Sequence, residues 1–170
     1  MPSPPAVPHG MPTLVLMLIC DDAAAEMEFC RRSFDAVELN RRLGPDGRVV
    51  HGLLAIGEGM VMVESEWPGI SSRPPDPEGG SPVVLYLYVA DVDAAVSRAQ
   101  AAGARLLMPV EDRFWGDRTG RIVDPAGHVW TVASRVQEPS ADERSQRWNE
   151  IAGRVRPAVA EPSASDGSRN

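Results

Sequence analysis

Short apolar runs alternate along the chain with polar, glycine-rich turns, and this pattern predicts strands and helices in a repeated order. The run Leu14 to Ile19 is wholly apolar and predicts a strand. Asp21-Asp22 can cap a helix that continues to about Ser33, with an apolar stripe suited to packing on a sheet. Three strands joined by tight, glycine-containing turns are predicted next, at 37–41, 49–56 and 60–64.

The same order of elements returns after a linker rich in proline, glycine and serine. Val83 to Val89 predicts a strand, Asp91-Val-Asp93 can cap a second helix, and Ala102-Gly103 can end that helix. Three more strands are predicted at 105–108, 118–123 and 128–134. The chain is therefore an internal duplication of strand, helix and three strands, which predicts an α+β fold of two tandem βαβββ modules.

This repeat divides the chain into segments. A capping-box pattern begins at Ser140 and predicts a C-terminal helix, and the residues beyond it are too polar to fold alone. The predicted segments are a flexible leader at 1–11, the first module at 12–64, a linker at 65–82, the second module at 83–137, a helix at 138–155 and a disordered tail at 156–170.

The last hairpin is marked by Asp124-Pro-Ala-Gly127, in which proline fixes one φ angle and glycine can adopt a positive φ. The strand after it has two distinct sides, with His128 and Trp130 opposite Val129 and Thr131. We expect His128 to lie on the helix side, where it supports the hairpin.

Composition narrows the possible functions. The net charge of −7 disfavours nucleic-acid binding, and no apolar run approaches the roughly 20 residues that span a membrane. All 17 basic residues are arginine, which excludes Schiff-base chemistry by lysine. The N-terminal segment lacks the pattern of a secretory signal, so we expect a cytoplasmic protein. Cys20 and Cys30 are expected to be buried, reduced core residues.

With the duplication and the hairpin turn established, the chain resembles the vicinal oxygen chelate superfamily of glyoxalases, bleomycin-resistance proteins and dioxygenases. The resemblance covers about Thr13 to Gln137 and is strongest to the PhnB-like or bleomycin-resistance-like branch. It implies two curved sheets around a cup, and a homodimer. It is carried by Asp21-Asp-Ala-Ala-Ala-Glu-Met-Glu-Phe29, Gly44-Pro-Asp-Gly47 with His51, Ala90-Asp-Val-Asp93, Ala102-Gly-Ala104, Pro109-Val-Glu-Asp112, Phe114-Trp-Gly-Asp-Arg-Thr-Gly120 and Asp124-Pro-Ala-Gly-His128.

Metal enzymes of this family place one ligand on the first and one on the last strand of each module. The matching positions here are Val15, Glu64, Val84 and Thr131, of which only Glu64 is a strong ligand. The resemblance therefore implies a member with no bound metal and no cofactor.

The resemblance and the strand alternation together imply an apolar, aromatic cup with few polar anchors. Trp67 and Trp115 are expected on loops at its mouth. The predicted ligand-binding residues are Met17, His51, Leu53, Met62, Glu64, Trp67, Tyr86, Tyr88, Trp115, Arg118, Ile122 and Thr131.

Several roles stay open at this stage. His51 and Glu64 can be a proton-transferring pair if the protein is an enzyme, although a histidine hydrogen-bonded within the sheet is the favoured interpretation. Arg118 can bind an anionic group of a ligand or form structural salt bridges.

The main functional hypothesis is sequestration of an aromatic or apolar antibiotic or metabolite. The alternatives are an isomerase, cyclase or lyase acting on a secondary metabolite, and a divergent metal-dependent glyoxalase-like enzyme using His51 and Glu64.

Overall fold

The computed structural model describes residues 3–67, 69, 73–76 and 80–154. The disordered tail predicted at 156–170 and several residues of the predicted linker lie outside the described residues. No helix within the described ranges is long and apolar enough to cross a membrane.

The first module consists of β1 (Leu16–Cys20), α1 (Ala23–Phe34), β2 (Val37–Leu43), β3 (Val49–Ile56) and β4 (Gly59–Ser65). Its strands form one sheet in the order β1-β4-β3-β2, in which β1 is parallel to β4 and the other neighbours are antiparallel. As predicted, Asp22 caps α1, because its carboxylate accepts hydrogen bonds from the first turn of the helix.

The second module repeats this topology with β5 (Val84–Tyr88), α2 (Val92–Ala101), β6 (Arg105–Asp112), β7 (Asp117–Val123) and β8 (Val129–Arg135). The strand order is β5-β8-β7-β6, with β5 parallel to β8. The prediction of two βαβββ modules in an α+β fold is therefore confirmed.

β6 extends beyond its predicted end at Met108 and runs through Pro109 to Asp112. Proline lacks a backbone N–H, and strands tolerate it mainly at sheet edges and irregularities. Both conditions hold here, because β6 is an edge strand and its pairing with β7 shifts register between Met108 and Glu111.

The two helices lie in one core shared by both modules. Phe34 of α1 packs on Trp130 of β8 with ring centroids 4.9 Å apart, and Arg98 of α2 donates a hydrogen bond to the carbonyl oxygen of Ser33. Gly52 of β3 permits close approach of α1, because a Cβ there would overlap Met27. Each sheet therefore has a helix-facing side and an opposite side, called here the free face of module 1 or of module 2.

Helix α3 (Ala141–Arg154) follows β8. Ser140 and Glu143 form the predicted capping box, with each side chain accepting a hydrogen bond from the backbone N–H of the other residue. Trp148 of α3 packs against Phe114, with ring centroids 5.3 Å apart. This contact joins the helix to the loop before β7.

Candidate functional site

The free face of module 2 carries the aromatic residues that the sequence placed in the cup. Tyr86 of β5 pairs with Thr131 of β8, and Tyr88 lies two residues farther on the same face. The rings of Tyr86 and Tyr88 are 5.2 Å apart. Thr131 also pairs with Arg121 of β7, which brings an arginine onto this face.

Buried Asp117 organises the aromatic residues. Its Oδ2 accepts hydrogen bonds from the hydroxyls of Tyr86 and Tyr88 at 2.8 and 2.9 Å, and from the indole N–H of Trp115 at 2.8 Å. Its Oδ1 lies 3.0 Å from Arg135 Nη1 in an ion pair that lacks the alignment of a hydrogen bond. One carboxylate therefore fixes three aromatic side chains of the face.

These contacts shift the ionisation of the cluster. Burial by itself would raise the pKa of Asp117, but the three hydrogen bonds and the charge of Arg135 hold that pKa below its ordinary value. Burial and the hydrogen bond to Asp117 raise the pKa of Tyr86 to about 12. The Tyr86 hydroxyl therefore stays protonated at neutral pH and committed to Asp117.

A cavity of about 360 Å³ opens on this face between the sheet and α3. Its walls are mainly aromatic and apolar, and the edge-to-face pair of Phe114 and Trp115 forms one side. The size falls within the usual range of small-molecule sites. The lining residues are Tyr86, Met108, Asp112, Arg113, Phe114, Trp115, Thr119, Arg121, Thr131, Trp148 and Ile151.

Arg118 and Ile122 lie on the opposite side of β7, and the prediction that they face the cup is wrong. Ile122 pairs with Trp130 and is fully buried in the shared core. Arg118 donates two hydrogen bonds to Asp93 of α2, at 2.8 and 2.9 Å. Of the two roles that the sequence left open for Arg118, these contacts favour the structural salt bridge.

The face of β7 was assigned wrongly because the turn before the last strand differs in length between the two modules. In module 1, Ile56 pairs with Gly59 across a turn of two residues. In module 2, Val123 pairs with Val129 across a turn of five residues. Strand faces alternate with every residue, so an odd difference in turn length exchanges the two faces of β7. Arg121 therefore takes the place expected for Arg118.

The free face of module 1 holds five predicted site residues. Cross-strand pairing places His51 opposite Glu64 and Leu53 opposite Met62, and Met17 of β1 pairs with Met62. His51 Nδ1 lies 3.7 Å from Glu64 Oε1, and both side chains are partly exposed. The structure thus brings the predicted proton-transfer pair together, on a different face from the aromatic cavity.

Trp67 lies apart from the aromatic cavity. It is 53% exposed and lines a separate cavity of about 470 Å³ beside the β2–β3 turn. Trp115, the other loop tryptophan, lines the module 2 cavity. The two tryptophans predicted at one mouth are therefore in different places within this chain.

The residues at the family's metal-ligand positions do not fit a metal ion. Val15 precedes β1, and Val84 is aliphatic. The hydroxyl of Thr131 accepts a hydrogen bond from Arg121 Nε at 3.1 Å, which also places a positive charge beside it. Glu64 is the one strong ligand among the four positions, and its carboxylate lies beside His51 on the free face of module 1.

A second cluster of polar groups lies in the core between the modules. Glu26, Asp124 and His128 are buried and bring one potential metal-ligand atom each within 4.8 Å of one another. Asp124 also accepts hydrogen bonds from the backbone N–H of His128 and the indole of Trp130, which fix the β7–β8 turn. Burial, then the charge of Asp124, raises the pKa of Glu26 well above its ordinary value, so a proton competes with any cation there.

Cys20 and Cys30 also lie in the shared core, as predicted. Burial is the largest cause of the raised pKa of both thiols. The thiols therefore stay protonated and poorly nucleophilic at neutral pH.

Sequence reasoning missed the roles of Asp117, Arg113 and Trp148, and it preferred Arg118 to Arg121. Counting the five residues of the Asp124-Pro-Ala-Gly-His128 turn would have placed the odd-numbered residues of β7, including Arg121, on the same face as Thr131. No local pattern could have identified Asp117, because its partners Tyr86 and Tyr88 are about 30 positions away in sequence. Trp148 lines the cavity because of the path that the chain takes after β8, which no local pattern encodes.

Comparison with known proteins gives the same family from independent data. The family described as glyoxalase/bleomycin resistance protein/dioxygenase superfamily matches residues 13–132. The uncharacterized protein Rv0887c of Mycobacterium tuberculosis is 44% identical over 135 residues, which cover 78% of this chain and 79% of Rv0887c.

Solved structures share the fold. TioX from Micromonospora sp. ML1 is 29% identical, with a TM-score of 0.58 over 72% of this chain and 98% of TioX. The fosfomycin resistance protein FosX from Listeria monocytogenes, complexed with Mn(II) and sulfate, is 16% identical, with a TM-score of 0.56 over 81% of this chain and 97% of FosX. By its duplicated topology and its sequence, the chain belongs to the glyoxalase/bleomycin resistance protein/dioxygenase superfamily.

Proposed function

We propose that this protein binds a small aromatic or apolar molecule without a metal ion, and that it acts by sequestering an antibiotic or metabolite. The observation that carries the proposal is the cavity of about 360 Å³ on the free face of module 2. Aromatic rings from β5, from the loop before β7 and from α3 line it, and such walls suit a planar ligand.

The polar groups of the cavity support binding over chemistry. The Tyr86 hydroxyl is committed to Asp117, and the Thr131 hydroxyl accepts from Arg121. No histidine, cysteine or lysine is among the described residues that line the cavity. A nucleophile with an adjacent base, which covalent catalysis needs, is therefore missing from this set.

Metal independence is supported by charge as well as by ligand identity. A divalent ion near Thr131 would meet the guanidinium of Arg121, and the two charges would repel each other. By analogy with the bleomycin-resistance proteins of the superfamily, the protein would capture an antibiotic or metabolite in the cytoplasm.

We also propose that two copies of the chain complete the cup. The two helices pack together in the shared core, so the two free faces of one chain do not face each other. Both faces carry exposed apolar side chains, including Met17, Tyr86 and Tyr88 at 48%, 47% and 57% exposure. A homodimer that joins the module 1 face of one copy to the module 2 face of the other would cover them.

An enzyme is the second candidate, favoured by the close approach of His51 and Glu64. A carboxylate 3.7 Å from an imidazole nitrogen can orient it as a proton acceptor, as an isomerase, cyclase or lyase requires. In the proposed dimer this pair would face the aromatic cavity of the other copy. Changing His51 to Ala should then abolish turnover of a bound compound, whereas a pure binding protein keeps its affinity.

The proposal is tested by screening small aromatic compounds for quenching of tryptophan fluorescence, with affinities of the hits measured by calorimetry. Changing Tyr86 to Ala removes a ring from the cavity wall and should weaken binding about tenfold or more. Changing Tyr88 to Ala is the matched control, because Tyr88 shares the strand and the Asp117 contact but does not line the cavity. Equal affinities of the wild type and the Tyr86 variant would contradict the assignment of the site.

A further inference from the structure

We propose that Arg121 binds an anionic group of the ligand, so that the module 2 cavity selects aromatic carboxylates over neutral aromatic compounds. This inference rests on the proposed function and adds the chemical class of the ligand. The charge balance of the residues around the cavity supports it.

Arg121 is a cavity-lining cation with no acidic partner among the described residues. Its guanidinium donates a hydrogen bond from Nε to Thr131 Oγ1, at 3.1 Å. The other arginine of the cavity, Arg113, is paired with Glu111 at 3.2 Å and also donates to Thr119. Arg121 therefore contributes a positive charge that the surrounding protein leaves unbalanced.

The acidic residues near the cavity are already engaged. Asp112 lines it but pairs with Arg118 at 3.0 Å. Asp117 accepts from three aromatic side chains and faces Arg135. Neither carboxylate neutralises Arg121 in this arrangement, so an acidic group of a ligand is the partner that the site lacks.

The surroundings of Arg121 suit a planar acid. The bond from Nε to Thr131 fixes one edge of the guanidinium, and the two Nη groups keep their donors. A carboxylate can accept from such a pair of donors in a fork geometry, while an attached ring lies against Tyr86 and Trp115. The apolar and aromatic walls beside Arg121 also strengthen the ion pair relative to water.

The test compares two probes of nearly equal shape, 2-naphthoate and 2-naphthamide, by isothermal titration calorimetry. The wild type should bind the carboxylate at least about tenfold more tightly than the amide, as expected for a hydrogen-bonded charge pair. Arg121→Gln should remove this preference, because it should weaken the binding of the carboxylate much more than that of the amide. Arg121→Lys, which keeps the charge but not the fork, should retain part of the preference.

Arg105→Gln is the matched control, because Arg105 lies on the neighbouring strand β6 of the same sheet, is exposed and does not line the cavity. It should keep the wild-type preference for 2-naphthoate. Equal binding of both probes by the wild type, or an unchanged preference in Arg121→Gln, would overturn the role of Arg121 and leave the proposed function standing. If no aromatic compound binds at all, the proposed function and this inference both fail.

Discussion

At the scale of single residues, the pKa values of two buried carboxyl groups are shifted in opposite directions. Asp117 has a lowered pKa because three hydrogen bonds and Arg135 outweigh its burial. Glu26 has a raised pKa because burial and the charge of Asp124 both disfavour its anion. Asp117 therefore stabilises the fold as a carboxylate, whereas Glu26 stabilises it as a neutral acid.

The raised pKa of Glu26 predicts a specific dependence of stability on pH. A group whose folded pKa exceeds its unfolded pKa contributes stability that is present below the unfolded pKa and is lost as pH rises toward the folded pKa. Changing Glu26 to Gln should remove this loss, because the amide stays neutral and can still donate to Asp124. The free energy of unfolding of Glu26→Gln relative to wild type should rise by up to about 1.4 kcal/mol per pH unit above pH 5.

Urea unfolding between pH 5 and pH 8 measures this difference. Glu28→Gln is the control, because Glu28 lies on the exposed side of α1 and pairs with Arg31 alone. If Glu26→Gln and Glu28→Gln change stability equally at every pH, Glu26 is not held as a neutral acid in the core.

At the scale of elements, the positions of strands and helices could be predicted well from the sequence, because apolar runs and capping residues are local signals. Asp22 and Ser140 begin helices as expected. The face of β7 could not be assigned correctly without the number of residues in the turn, and an odd difference of three residues between the two turns exchanged Arg118 for Arg121. The cavity wall formed by α3 also depends on packing that no local pattern encodes.

The length of an edge strand is a second feature that the sequence pattern does not give. The strand predicted at 105–108 continues as β6 through Pro109 to Asp112, because β6 is an edge strand, where a proline is tolerated. The position of a strand in its sheet is a property of the whole module. A sequence pattern can therefore locate such a strand but cannot give its length.

At the scale of the whole molecule, the shared core turns the two free faces away from each other. The four positions that match the family's metal ligands are thus divided between the two modules. The proposed homodimer accounts for the exposure of Met17 on one face and of Tyr86 on the other.

The dimer makes a prediction for sedimentation. The wild type should sediment as a dimer, and Met17→Glu should shift it toward monomer, because a carboxylate in a covered apolar interface loses its hydration. Val7→Glu, an equivalent change in the segment before β1, should leave the dimer intact. A wild type that is monomeric at all concentrations studied would contradict the shared cup.

The proposed function depends on ligand binding without a metal ion. Its most direct test is calorimetric titration of 2-naphthoate into the purified protein before and after treatment with a chelator, with the metal content of both samples measured by mass spectrometry. The predicted result is equal affinity in the two samples and less than stoichiometric metal in each. Stoichiometric metal in the untreated protein, with loss of binding after chelation and recovery when the metal is restored, would contradict it.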